Sequence, residues 1–425
     1  MPTDPRRKRV LVSAYACEPN RGSEPDIGWQ WVLAYQIHVN TWVLTRANNR
    51  HAISSYEDEF GKTGIRWIWV DAPGWVLRFK KKLGRPGILS YYWLWQFLAA
   101  KAAKAAEKEA GGFDWCHQLT MNGFREPGRL DFLRAPVVWG PIGGLQNSDW
   151  TLSRLRGLRP ALMEFSRTVV NELTKVFGLR SIRAVKRRAL VLGINQDSMQ
   201  WIKHWRKGSI AQLIEIGLPK VPVKEGVVRS PRTILWAGND ESRKNPEFAL
   251  LAWNELRKRG FNLELNMVGL SEKRQAELRA WSRKKGVDLD LGVSMYRWVS
   301  LDELATFYAT AGQFWFTSYR DSSGTVLLWA GAYGLPSIAF NHQGASALLK
   351  GNRGALVDRD TIDKVLHDWC MASKALLDCS ENPFCKDYSG EQYNWQNKVE
   401  YVMRIMNEIN DVEHGKEQKS CPAAD

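Results

Sequence analysis

No apolar run approaches the roughly 20 unbroken residues that a bilayer-spanning helix needs, so the sequence does not describe an integral helical membrane protein. The opening residues Met1–Val10 are basic and run straight into a strand-like segment. They lack the apolar core and small-residue cleavage site of a signal peptide, so a cytoplasmic protein is expected. Cysteine is sparse. Cys17, Cys116, Cys370, Cys379, Cys385 and Cys421 have no zinc-ribbon spacing and are too dilute for a disulfide scaffold, which leaves reduced, structural thiols. No His/Cys/Glu cluster has metal-ligand spacing. No G-x-S-x-G or Walker sequence occurs. Asp288-Leu-Asp290 lies in an alternating strand-like run and reads as a chance D-x-D. Neither a metal nor a cofactor is expected.

What the sequence does hold is length and positive charge. A chain of 425 residues is too long for one ordinary core and points to two domains. The net charge of +15 attracts anions, whether nucleic acid, anionic lipid or a phosphorylated substrate. No recognition helix or aromatic RNA motif accompanies it, so nucleic acid is not expected as a partner. Tryptophan is abundant, with 21 copies. It suits cores, membrane interfaces and sugar-binding surfaces alike.

Strand-like and helical segments alternate twice. The first series includes Val10–Ala16, helix Ile27–Ile37, Asn40–Thr45, Ile65–Val70, helix Ala99–Ala110, Phe113–Leu119, Pro136–Trp139 and Leu190–Gly193. The second includes Thr233–Ala237, helix Pro246–Lys258, Leu263–Val268, helix Glu272–Lys285, helix Leu301–Ala311, Gln313–Thr317, helix Thr325–Tyr333 and Ser337–Phe340. Such alternation predicts parallel sheets covered by helices. The expected boundaries are an N-terminal domain 1–218, a linker 219–232 rich in proline and glycine, a C-terminal domain 233–394, a final helix 395–412 and a disordered tail 413–425.

Five constellations carry candidate chemistry. In Tyr319–Pro336 a strand gives way to a polar loop and then a helix, which places Ser322, Ser323, Gly324 and the amide of Thr325 at a helix start. Free amides there receive anions, and Asp321 stands beside them. An ordinary serine-capped turn reads equally well. In Trp236–Pro246, Gly238 ends a strand and Lys244 precedes a helix, as a point charge for a diphosphate or as a solvated basic residue. Gly22, Ser23 and Glu24 lie in RGSEPDIG at the first strand–helix junction, where a glycine turn admits a ligand or simply caps a helix. His117, expected just past a strand end, reads as a substrate contact or a structural hydrogen-bonder. Gly143 and Gly144 close WGPIGG, a rigid turn that lines a site or only redirects the chain.

Taken together and in order, these strings resemble glycosyltransferase family 4, a GT-B family of retaining enzymes. A bacterial branch with ACEP…GSEP…GW, VLTRANNR, WGPIGG and S-x-R-D-S-S-G-x-V is the closest likeness. The resemblance implies an α/β protein of two Rossmann-like, doubly wound domains facing a cleft. It implies a nucleotide-sugar donor bound mainly by the C-terminal domain and a glycan or lipid-linked acceptor held by the N-terminal domain. It places Lys244 and Gly324-Thr325 on the donor diphosphate and His117 and Asp321 by the transferred sugar, with a final helix crossing back to the first domain. Two positions depart from the pattern. The family's second acid, separated from the first by seven intervening residues, is replaced by Trp329, and its arginine after Gly238 is replaced by Asn239. Trp329 then stacks on a base or ribose, or fills the pocket.

The expected function is sugar transfer in cell-surface polysaccharide synthesis. The alternative is an inactive homologue serving as a partner in glycan assembly. The basic, apolar segments Trp75–Leu83 and Arg154–Arg188 suggest peripheral contact with an anionic inner leaflet, or else solvated faces of packed helices.

Overall fold

The computed structural model describes residues 6–121, 123–218, 228–349, 354–378 and 393–420; the side chains of 79–81, 83–86, 88–89 and 413–420 are outside that description. The chain forms two units. Unit 1 comprises residues 1–145, 174–217 and 391–425, and unit 2 comprises 146–173 and 218–390. The sequence reading ends the first domain at 218, and Leu218 already belongs to unit 2. The segment 146–173, expected in the first domain, belongs to unit 2.

Unit 1 is built on seven strands: β1 Arg9–Ser13, β2 Asn40–Arg46, β3 Arg66–Val70, β4 Trp115–Gln118, β5 Val137–Ile142, β6 Leu190–Gly193 and β7 Ile210–Gln212. They lie in the order β3-β2-β1-β4-β5-β6-β7, and every pairing is parallel. The alternation of side chains explains why both faces are covered. Val10 and Val12 enter one core with Trp29, Trp31 and Tyr35. Leu11, between them, enters the opposite core with Trp42, Tyr92 and Trp95. A strand buried on both sides reads as a continuous apolar run, which is why the sequence signalled these strands well.

Helix Trp395–Ser420 belongs to unit 1 and buries Val399, Val402 and Met406 in the first of those cores. Its start is fixed tightly. The Lys398 ammonium is buried and donates to the Ile214 carbonyl at 2.9 Å, while the Trp395 ring lies against Gly217. The helix runs on to Ser420, past 412, where a disordered tail was expected; 421–425 lie outside the described residues.

Unit 2 has six parallel strands: β8 Ser230–Ala237, β9 Glu264–Val268, β10 Val293–Tyr296, β11 Ala311–Phe316, β12 Ser337–Phe340 and β13 Ala355–Val357. Their order is β10-β9-β8-β11-β12-β13, again parallel throughout. The expected linker is shorter than the sequence implied. Residues 219–227 lie outside the described set, and Ser230–Arg232 already form the start of β8. Asp288-Leu-Asp290 is not in a strand either. Leu289–Leu291 is a 3-10 turn, capped by the Asp288 carboxylate accepting from the Asp290 amide at 3.1 Å.

In both sheets the strand order reverses once, between β1 and β4 and between β8 and β11. Ligands of open α/β sheets bind beyond the carboxyl ends of the strands at such a reversal. In unit 1 this point is held closed-packed by Gly28. A β-carbon there would lie 2.1 Å from the Ala16 carbonyl oxygen and 3.0 Å from Thr120 Cγ2. Gly28→Ala should therefore lower stability by about 1–3 kcal/mol, read as a shift in the urea midpoint of unit 1. An unchanged midpoint would mean that the junction is not packed as described.

Candidate functional site

In unit 2 the reversal point gathers the two loops that the sequence singled out. β8 leads through Gly238 to a short 3-10 turn, Ser242–Lys244, and then into helix Pro246–Lys258. β11 leads through Thr317 into the loop before helix Thr325–Ala332. Thr317 joins them. Its buried hydroxyl donates towards the carbonyls of Lys244 and Asn245 at 2.9 and 3.0 Å and accepts from the Trp236 indole at 2.8 Å. The backbone of Lys244 is thereby fixed against the end of β11.

The side chains converge on Asp321. Its Oδ2 accepts from Lys244 Nζ at 2.8 Å and Arg243 Nη1 at 2.5 Å. Its Oδ1 accepts from the Gly324 amide at 3.2 Å. Burial by itself would raise the Asp321 carboxyl, but Lys244 and Arg243 hold it well below the usual carboxylate range. Burial lowers the Lys244 ammonium, with Asp321 opposing that shift. Asp321 was expected to face a sugar. Instead, its carboxylate holds the cation and the helix start together.

The loop carries further anchors. The Asp321 amide donates to Gln343 Oε1 at 2.8 Å. Ser322 Oγ accepts from Gln146 at 2.9 Å. Arg320 reaches Ser148 at 3.1 Å and Glu164 at 3.3 Å. Gly324 adopts φ 64° and caps the helix, a left-handed conformation that favours glycine. Among the described residues, the amides of Thr325 and Val326 have no protein partner. The anion-receptive helix start is thus part filled by Asp321 and part open. Ser323 is buried beside it.

The two departures have definite places. Trp329 is half-buried and stacks on Tyr308 at 6.3 Å, with Tyr333 on Tyr308 at 5.8 Å. Its ring is a packing partner of helix Leu301–Thr310. Asn239 is exposed and its side chain accepts from the Glu241 amide at 3.2 Å, shaping the turn before Lys244.

Unit 1 revises one expectation outright. His117 sits inside β4, not past its end, with no exposed surface. The Gly140 carbonyl can only accept, so Nε2 carries the hydrogen at 2.8 Å, and Nδ1 accepts from the Tyr35 hydroxyl at 2.8 Å. Both ring nitrogens are used, and the ring packs edge-on against Trp31. This is a core histidine, and no atom of it is free for a substrate. WGPIGG is likewise less a turn than a strand. β5 runs through Ile142, and its irregularity after Trp139 presents the Gly140 carbonyl to His117. Gly143 and Gly144 follow, with the Gly143 carbonyl accepting from the Phe124 amide at 3.0 Å.

Gly22 and Ser23 open helix Ser23–His38 with φ of 68° and 54°. Glu24 accepts from the Met121 amide at 2.5 Å, bridging the strand-order reversal of unit 1. Burial raises its carboxyl, and that amide opposes the shift. Gly22, Ser23 and Glu24 lie at the carboxyl-end edge of the sheet, beside the loop after β4.

Sequence reading missed Arg243, Arg320, Glu164, Gln343 and His342. The two arginines adjoin residues already singled out, so their charge was visible. Glu164 gave only a faint signal, as one of two acids in the otherwise basic stretch 154–188. His342 is buried, donates from Nε2 to the Ser318 carbonyl at 2.7 Å, and backs the same loop. Among the described residues no group of three or more His, Cys, Asp or Glu side chains is placed to hold a metal ion.

Residues 231–368 match the family model of the glycosyl transferases group 1. That span contains Lys244, Asp321 and the helix start at Thr325. No curated protein sequence matches the chain. The fold is that of the GT-B glycosyltransferases, as solved structures show. WaaG, a glycosyltransferase involved in lipopolysaccharide biosynthesis, aligns at 15% identity over 92% of this chain and 98% of its own, with a TM-score of 0.57. Sucrose-phosphate synthase from Thermosynechococcus elongatus aligns at 14% identity over 97% and 100%, also with a TM-score of 0.57. HepE of Anabaena, in complex with UDP and glucose, aligns at 11% identity over 94% and 100%, with a TM-score of 0.55.

Two predictions concern this site and its surroundings. Asp321→Asn leaves Lys244 without its anion and Arg243 with Glu241 alone. It should cost about 3–5 kcal/mol, read as faster hydrogen exchange across 311–340. Unchanged exchange would remove Asp321 from its central role. The second concerns pH. Burial lowers His117 and His342 each to about 4, against an ordinary value near 6.5. Below that ordinary value the unfolded chain takes up protons that the folded chain refuses, so stability falls as pH drops from about 6.5 towards 4. Above that window both states are neutral and the effect vanishes. His117→Gln should flatten the slope by up to about 1.4 kcal/mol per pH unit, measured as urea midpoints at several pH values. An identical slope would refute the buried neutral histidine.

Proposed function

We propose that the protein transfers a sugar from a nucleotide-sugar donor held by unit 2 to a glycan or lipid-linked acceptor held by unit 1, in the synthesis of cell-surface polysaccharide. The supporting observation is the convergence at the unit 2 reversal point. Lys244 and the amide-bearing helix start share one carboxylate, inside the segment that matches the family model.

The chemistry needs no metal. A leaving nucleoside diphosphate gains charge as the glycosidic bond breaks. Lys244 and the open amides of Thr325 and Val326 are preorganised donors for that charge. The departing phosphate takes the proton of the acceptor hydroxyl on the same face, which retains configuration. Asp321 positions Lys244 rather than touching the sugar, and Trp329 shapes the wall of the site through its stack on Tyr308. On the unit 1 side, Gly22, Ser23, Glu24, Gly143 and Gly144 are the acceptor-side candidates, with Glu24 as the polar contact. The surroundings are the cytoplasm and the inner face of its membrane.

A second reading keeps weight from three observations: Asp321 is spent on protein partners, His117 is spent in the core, and Trp329 occupies the position of an acid. A chain so altered would serve as an inactive partner in glycan assembly. Titration calorimetry with UDP- and GDP-sugars separates the two readings. The enzyme reading expects binding of at least one donor, with Lys244→Met weakening it about ten- to hundredfold, the worth of one charge-assisted hydrogen bond. Absence of binding by every donor up to millimolar concentration would favour the partner role.

A further inference from the structure

Helix Leu158–Phe177 is amphipathic in the wrong direction. Its polar residues face the protein. Glu164 and Asn171 are buried, Glu164 meeting Arg320 and Ser148, and Asn171 and Arg167 donating to the Gln146 carbonyl. Its apolar residues face solvent. Leu158, Leu162, Phe165, Val169, Leu173 and Val176 recur at helical spacing, flanked by Met163, Val170 and Phe177. All are exposed, from 42% for Val169 to 69% for Phe177. Successive residues turn by about 100°, so these side chains form one continuous stripe along a helix about 30 Å long. An apolar stripe of this length is larger than chance exposure leaves on a soluble surface.

Charge says what covers it. Between Arg154 and Arg188 the sequence has ten basic residues and two acids, Glu164 and Glu172. Arg188 is buried on Asp131, Arg156 pairs with Glu277, and Arg167 and Arg180 donate to carbonyls, while Arg154, Arg159, Arg183, Lys186 and Arg187 are exposed. Glu164 is neutralised inside by Arg320, and Glu172 accepts from Asn147. Glu172 is exposed and keeps its charge, so the exposed cations of this stretch outnumber its exposed acids five to one. A second copy of this chain would bring the same basic stretch and its own +15 charge against the first, which disfavours self-pairing. An apolar stripe on a strongly basic chain, with exposed Arg154 and Arg159 at its N-terminal end, fits an anionic lipid surface, whose headgroups take the cations while the acyl boundary takes the side chains.

We propose that the exposed face of helix Leu158–Phe177 docks the protein on an anionic membrane surface. This makes specific the membrane-side acceptor of the proposed function, but no step of sugar transfer enters it. Vesicle binding without any donor reads it separately from donor titration, so either can fail alone.

The test is cosedimentation of the full chain with vesicles of phosphatidylcholine, with or without phosphatidylglycerol. Binding is expected only with the anionic lipid and is expected to weaken as salt rises. Val169→Asp with Leu173→Asp places charge on exposed positions. It should lower the vesicle partition about tenfold or more, leaving thermal midpoint and donor affinity unchanged. Arg159→Glu with Arg183→Glu should weaken binding by a similar factor. No binding to anionic vesicles, or equal binding by the apolar-face variant, overturns the proposal. So does a concentration-dependent dimer that Val169→Asp abolishes in a chain that ignores vesicles, since a second copy would then be the occupant.

Discussion

A single buried carboxylate organises unit 2. Asp321 accepts from an ammonium, a guanidinium and a backbone amide at once, the two cations from adjacent residues of the turn after β8 and the amide from the helix start after β11. Without it, the Lys244 ammonium would face the positive end of a helix dipole with no anion between them, and Arg243 would keep Glu241 alone. The site therefore requires negative charge as a condition of folding. A donor diphosphate would meet a cation already engaged. Its binding would be in part an exchange of one anion for another at Lys244, and the open amides of Thr325 and Val326 supply what an exchange alone would lack.

The same burial that makes Asp321 indispensable disarms His117. A histidine with both nitrogens committed to Tyr35 and Gly140 keeps its neutral form and its orientation but offers nothing outward. The difference between the two residues lies in what surrounds them, since both came from equally suggestive motifs. Asp321 stands on a loop whose neighbours are charged. His117 stands in the middle of a parallel strand, where inward side chains meet aromatic rings. Glu24 is intermediate: at the sheet edge, partly buried, and held by one amide, it keeps one oxygen for further contacts.

How far the sequence was legible follows from this contrast. Strands buried on both faces announce themselves as apolar runs, so β6 and β12 were read to the residue. Short partners at the edges, β7 and β13, were not, because three residues carry no period. WGPIGG was read as a turn because proline and glycine usually punctuate chains. The register shift that keeps it in β5 depends on β6, a long-range fact. Lys244, Ser323 and Thr325 were legible because a strand, a polar loop and a helix start are local features. Glu164 was not. Its role comes from a helix that precedes the second series of strands yet belongs to unit 2.

That helix also shows why the usual reading of amphipathicity fails here. A hydrophobic stripe ordinarily predicts which face is buried. In Leu158–Phe177 the inner face is instead specified by Glu164, Arg167 and Asn171, each of which finds a partner around Gln146, Ser148 or Arg320. Hydrogen bonding has outcompeted burial for that interface. The apolar face is then left over, and its cost in water is borne by the folded state. Leu158, Phe165, Leu173 and Phe177 are retained on an exposed face, and a sequence that needed only to fold would lower its free energy by replacing them with polar residues. Their retention fits the proposed docking outside the chain, and the exposed cations Arg154 and Arg159 at the start of the stripe favour an anionic surface for it.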